Sequence, residues 1–288
     1  MTVKYPELSP KNTLRGRQNF EFLNESDLEE GSNYDAAVIM GVPFLTVDQL
    51  PQLSVDTCPI ALIGGGPTLK DNDANGKTIL QNLNDNADVI KVVTGSAHTK
   101  ITNGDLTGVA YCVVGFAADS MCDYMEPQKD ITYIVAAQSD FAIFQKIKAA
   151  GARVFAVNGY VEGIDQNADD LLGIGSTSAT AGLAVFAGIL GRKDIQFYGV
   201  DSSTSYSYDV PEYEPNEMPV ELEDGRIFIV DKGFYDEQTK DLVKFQESYP
   251  EVKMKFFGDS VNAGLINDDD LTNNFDAGAD NIFDFDPE

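Results

Sequence analysis

An α/β protein with a Rossmann-like, mostly parallel sheet and helices on both faces is predicted by three features of the sequence. Short, continuous, β-branched runs recur without strict polar alternation, as strands buried on both faces require. Stretches with helical spacing lie between them and end at glycines, which gives strand, helix, strand as the repeated unit. Gly-rich turns follow a strand or open a helix, where ligands of such sheets bind. Around this core, of residues 34–267, the sequence predicts a peripheral N-terminal arm over 1–33 and a disordered acidic tail over 268–288.

Residues 1–33 are polar and mixed, with a short, poorly periodic helix around Asp27–Glu30. From Tyr34 the segment YDAAVIMGVPFL reads as a strand or helix end, and PIALIGGGPTL is the first strong strand-and-turn signal. Further strands are expected at 88–95, 109–116, 131–137, 153–157 and 195–201. The crossover FAIFQKIKAAG stops at Gly151, and the nearly all-apolar SATAGLAVFAGILG stops at Gly191. From Ser202 to Pro219 the pattern breaks into a Tyr-, Ser-, Pro- and Glu-rich stretch, read as a long lid loop over a site. Beyond it, 225–230 is a strand, 236–250 an amphipathic helix, and 252–259 the strand that closes the sheet. The tail carries eight acids, no base and three Phe, a composition that buries too little to fold. Its alternative use is docking on a basic, apolar groove of a partner.

Composition narrows the function. Of 288 residues 43% are apolar, yet no run approaches the ~20 needed to span a membrane, and the N-terminus lacks the apolar segment of an export signal. A cytoplasmic location is expected. Cys58, Cys112 and Cys122 have neither metal nor redox spacing and read as reduced, structural thiols. With 47 acids against 20 bases the net charge is −27, which repels nucleic acid and anionic membrane and serves solubility or a salt-rich habitat. A small-molecule nucleotide and its acceptor are the expected partners, and a homo-oligomer is left open.

Chemistry concentrates in three places. In PIALIGGGPTL a strand runs into Gly64, Gly65, Gly66, Pro67, Thr68 and Leu69. Glycines admit a close backbone approach to a phosphate, and a following helix start offers N–H groups. Neither a GxxxxGKS/T loop nor a spaced GxGxxG is present, so a plain tight turn is the alternative. A Val at Gly65, unable to take a positive φ or admit a phosphate, is expected to abolish ligand binding and spare folding. In GIGSTSATAGL, Gly175, Ser176 and Thr177 open a helix and either cap it or bond a ligand. In YGVDSSTS, Asp201 ends a strand, and with Asp119 at an equivalent strand end it could hold Mg²⁺, or else cap a turn. The single His98 lies in TGSAHTK, where a surface role is the ordinary reading. Its neighbour Ser96 follows a strand end and could line the same crevice.

Taken together, IALIGGGPTL, YIVAAQSDFAIFQKI, GSTSATAGLAVFAGILGRKDIQFYGVDSS and VKMKFFGDSVNAGLI resemble the family grouped with archaeal 6-hydroxymethylpterin diphosphokinase, over roughly Pro59 to Ile266. A GPSL-type turn is shared with bacterial flagellin-glycosylation accessory factors and, more distantly, with sialyltransferases that use a CMP-sugar. The resemblance implies nucleotide phosphates near Gly64–Leu69 and Gly175–Thr177, with Asp119 and Asp201 beside the phosphates and metal. It implies a Mg²⁺-dependent transferase moving pyrophosphate from ATP to a small hydroxylated acceptor, with Arg153, Arg192 and Lys70 as available cations. The alternatives are a glycosyltransferase-like enzyme using a nucleotide-sugar and a non-catalytic nucleotide-binding accessory protein. Thr68 stands where the family has Ser, and no histidine follows His98, unlike in the sialyltransferases.

Overall fold

A computed structural model describes residues 37, 40–50, 57–73, 75–115, 125–137, 139–158, 175, 177–203, 207–210 and 212–266. The expected N-terminal arm with its short helix, and the acidic tail, lie outside the described residues. Six strands come first along the chain: β1 (Ile60–Ile63), β2 (Ile90–Thr94), β3 (Val109–Val114), β4 (Thr132–Ala136), β5 (Arg153–Val157) and β6 (Asp194–Tyr198). A hairpin, β7 (Glu217–Glu221) and β8 (Ile227–Asp231), and a last strand, β9 (Lys253–Phe257), follow. The main sheet has seven strands in the order β5-β4-β3-β2-β1-β6-β9. Every pairing in it is parallel.

Alternation along each strand supplies two cores. Ile60 and Leu62 of β1, with Tyr111 and Val113 of β3, face one; Ala61 and Ile63, with Cys112 and Val114, face the other. This is why the strands read as unbroken apolar runs: both faces are covered. One cover carries α1 (Ile79–Asp85) and α3 (Phe141–Ala149), through Leu83, Ile143, Phe144 and Ile147. Between them α2 (Thr99–Thr102) is a single turn. The opposite cover carries α4 (Ser178–Leu183), continued by a π-helical stretch Ala184–Ile189, and α5 (Lys240–Ser248). The small residues of α4 let it sit close, since a Cβ on Gly182 would lie 3.0 Å from Leu62. A short α6 (Val261–Ile266) follows β9. Both predicted glycine stops hold, with Gly151 at φ +71° and Gly191 at φ +66°.

The region after β6 departs from expectation. The strand at 225–230 does not join the main sheet; it is β8 of a separate antiparallel pair whose β7 begins inside the expected loop. Ser203 and Ser207 bridge to Val230 and Ile227 on the other side of β8. β7 is therefore an edge, which is where Pro219 can sit without removing a needed donor. After β8 the helix starts at Lys232–Phe234 and passes through a π-helical stretch, Tyr235–Thr239, before α5.

Candidate ligand-binding site at the switch point

The strand order reverses at one place. From β1 the chain winds outward through β2 to β5, and β6 then returns to the other side of β1. In sheets of this kind the crevice outside the carboxyl ends at such a switch is where ligands bind. The residues that follow β1, β2 and β6 there are Gly64–Leu69, Gly95–His98 and Gly199–Ser203.

The first turn is built by close backbone approach. Gly64 N–H donates to the Tyr198 carbonyl and Gly66 N–H to that of Gly199, each at 2.8 Å. A Cβ on Gly64 would run into the Gly199 carbonyl, and one on Gly66 into the Asp201 carboxylate. Neither glycine, nor Gly65, has a positive φ. The conformational reason given for Gly65 therefore fails, and what the turn demands is space at 64 and 66. Gly65 is exposed and its N–H donates to no acceptor among the described residues. Its Cβ position meets only the exposed Ser96 hydroxyl, at 3.5 Å. Gly65 and Ser96 thus face each other across the mouth of the crevice. Pro67 and Lys70 are exposed on the 3-10 turn Pro67–Lys70, whereas Thr68 and Leu69 point inward.

Asp201 is 4% exposed and turned onto that loop. The Thr68 backbone N–H donates to Oδ2 at 2.9 Å and the Thr68 hydroxyl to Oδ1 at 2.7 Å. Burial pushes the Asp201 carboxyl up to about 6 from the ordinary 3.8, helped by the Asp71 charge and opposed by the two Thr68 hydrogen bonds. Asp71 is itself raised, mainly by burial. Asp201 thus braces the Gly loop with both oxygens. Asp119 and Ser176 lie outside the described residues. Among the described residues no three His, Cys, Asp or Glu side chains gather where they could hold a metal ion; the expected pair of Asp201 with Asp119 is not described.

In the second turn the Thr177 hydroxyl is engaged internally. Gly175 has φ +66° and packs on Thr180. Thr177 caps α4, its hydroxyl accepting from Thr180 N–H at 3.2 Å and donating to Gln238 Oε1 at 3.0 Å. Ser178 accepts from Gly115 N–H at 3.0 Å. The two turns meet indirectly, because Gln238 Nε2 donates to Ser202 Oγ at 2.7 Å.

Two other expectations change. His98 is fully buried, its Nε2 2.9 Å from the Tyr133 hydroxyl, and burial lowers it to about 4, so it stays neutral at physiological pH. The short 3-10 turn after β2 folds it beneath the sheet end, away from the surface. Two of the three candidate cations lie at the opposite end of the sheet: Arg153 opens β5, donating to the Gln49 carbonyl at 3.0 Å, and Arg192 donates to the carbonyl of Cys58, ahead of β1. Only Lys70 remains beside the first turn. Sequence reasoning missed Gln238 and Asn262, which carry no motif. Cys112 is a free thiol, fully buried and raised by that burial.

No family model and no curated protein matches the chain. Among solved structures it is similar to the MAf glycosyltransferase from Magnetospirillum magneticum AMB-1, with a TM-score of 0.55 and 13% identity over 71% of this chain and 32% of that one. The chain spans about a third of that enzyme's length, 32%, and at 13% identity the likeness is one of fold. Among the described residues no helix is long and apolar enough to cross a membrane. The chain is an α/β protein with a seven-stranded parallel sheet, similar in fold to part of a bacterial glycosyltransferase.

Proposed function

We propose that this chain is a transferase of the glycosyltransferase kind, holding the phosphate of a nucleotide-sugar at the β1/β6 switch point. The observation that carries the reading is the Gly64–Leu69 turn, braced from behind by Asp201, with Gly65 and Ser96 exposed opposite each other at its mouth. Support also comes from the likeness in fold to an enzyme named as a glycosyltransferase. In the transfer an acceptor hydroxyl attacks the anomeric carbon, the bond from that carbon to the phosphate oxygen breaks, and the nucleotide leaves with the electron pair. The acceptor's proton passes to a base or to solvent. The chain's part is to meet the charge growing on the leaving phosphate with fixed donors, here the Gly65 N–H and the Ser96 hydroxyl. Pyrophosphate transfer from ATP has less support, because Asp201 faces the loop with both oxygens.

Thermal-shift measurements against CMP, UMP, CMP- and UDP-sugars and ATP, each with and without Mg²⁺, test this. A ligand at 100 times its Kd adds about 2.7 kcal/mol, a rise in Tm of several degrees for a chain of this size. Stabilisation by the pyrimidine nucleotides or their sugars is expected. A rise with ATP and Mg²⁺ alone would replace the reading with pyrophosphate transfer, and no rise with any of them would remove nucleotide binding.

A further inference from the structure

Ser202 is the one residue other than glycine with a positive φ among the described residues, at +55°. It directly follows the brace Asp201 and is half-buried at the carboxyl end of β6. Strained backbone of this kind persists where the surroundings enforce it, and it gathers at functional sites. Here the enforcing groups are two amides. Asn262 is fully buried; its Nδ2 donates to the Val200 carbonyl at 2.7 Å and to Ser202 Oγ at 3.1 Å, while its Oδ1 accepts from the Thr239 hydroxyl at 2.7 Å. Gln238 Nε2 donates to the same Ser202 Oγ at 2.7 Å, with its Oε1 accepting from Thr177.

For Asn262 the direction is fixed by its other contact. A backbone carbonyl such as that of Val200 can only accept, so the Asn262 atom facing it is the amine nitrogen, and that nitrogen also faces Ser202. The Thr180 hydroxyl donates to the Thr177 carbonyl at 2.9 Å, the Thr177 hydroxyl donates to Gln238 Oε1, and the Gln238 nitrogen donates to Ser202. A serine hydroxyl has two lone pairs and one hydrogen. Both lone pairs of Ser202 are taken by N–H donors, and its hydrogen meets no acceptor among the described residues. The hydroxyl is thereby made a donor of fixed direction, with no capacity left to accept.

We infer that Ser202 is a ligand-binding residue that donates its hydroxyl to an anionic phosphate oxygen of the nucleotide, with Gln238 and Asn262 as its positioning residues. The inference rests on the proposed nucleotide reading and extends it to a third donor, at the carboxyl end of β6, in addition to the Gly65 N–H after β1 and the Ser96 hydroxyl after β2. A donor-only hydroxyl selects against groups that must themselves donate, and so favours a phosphate over a neutral hydroxyl.

Calorimetric affinities of CMP, UMP and AMP, each against the matching nucleoside that lacks the phosphate, test this in the full chain. Wild type should prefer the nucleotide. Ser202→Ala and Ser202→Gly should lose that preference by about tenfold to hundredfold, the range of a hydrogen bond to a charged oxygen, with nucleoside affinity unchanged. Glycine suits a φ of +55°, so the Gly variant keeps the fold even where the Ala variant is weakened. Gln238→Ala should lower the preference less, since it frees one lone pair and lets the hydroxyl rotate. A nucleotide preference kept intact in both Ser202 variants would overturn the inference and leave the nucleotide reading standing. Failure of wild type to bind any of the six compounds would overturn both.

Discussion

The two Gly- and hydroxyl-rich turns, Gly64–Leu69 and Gly175–Ser178, look alike as text and differ in what they leave free. In the first, the polar contacts are made from behind: Asp201 receives both Thr68 donors, and Gly65 is exposed toward Ser96. In the second, the Thr177 hydroxyl is engaged by both Thr180 and Gln238, and Ser178 accepts from Gly115. A binding turn is recognised by its unfilled hydrogen-bonding capacity, and richness in Gly, Ser and Thr does not measure that.

The sharpest way to break this comparison is within the first turn itself. Gly64→Ala drives a methyl group into the Gly199 carbonyl, a backbone atom that cannot step aside, and should destabilise by about 2–3 kcal/mol, as overpacking does. Gly65→Ala meets only Ser96 at 3.5 Å and should stay within about 0.5 kcal/mol of wild type, as surface changes do. Urea denaturation of the pair checks both, and equal losses would contradict the assignment of structural and open positions.

In the second turn, Thr177→Ala removes the cap of α4 together with the bond to Gln238. A loss of about 1 kcal/mol is expected for such a cap, again read by denaturation; no loss would mean that the turn's hydroxyls are not structurally engaged.

A further effect concerns the brace. Asp201 holds its proton to about pH 6 in the folded chain and releases it near 3.8 when unfolded. Between these values the folded state binds more protons, so this group's contribution falls as pH rises through that window and is level above it. Relative to Asp201→Asn, wild type should lose Tm steadily from pH 4 to pH 6.5 and then run parallel. A difference that is flat, or that grows with pH, would show that the carboxyl is not raised.

Much of the fold was legible in the residues. IALI, RVFAV and their fellows are unbroken because both sheet faces are covered, and the helix stops at Gly151 and Gly191 carry the positive φ that stops require. The β7–β8 hairpin was not legible in the same way. EMPVE has an acid at each end and contains a proline, and it forms a strand only because it pairs on one edge. Within the site, the strand-end position of Asp201 could be read from YGVDSS, but its orientation could not, since that depends on Thr68, 133 positions away in the chain. Ser202 was hidden for the same reason: its hydroxyl is directed by Gln238 and Asn262, 36 and 60 positions further on. Periodicity reports which face is buried, whereas the direction of a hydrogen bond is set by partners that periodicity does not address.

The placement of the hairpin bears on how this chain can change. β6 and β9 are joined on both faces by stacked rings, Phe197 on Phe256 at 4.3 Å and Tyr198 on Phe257 at 4.4 Å. Everything between them, the hairpin included, is one excursion from a closed seam. Closing a longer excursion costs only about 0.6 kcal/mol for each doubling of its length. The segment next to the crevice is therefore where the chain can lengthen, shorten or exchange sequence at little expense to the sheet, and where related chains with the same sheet can come to differ most in what they bind.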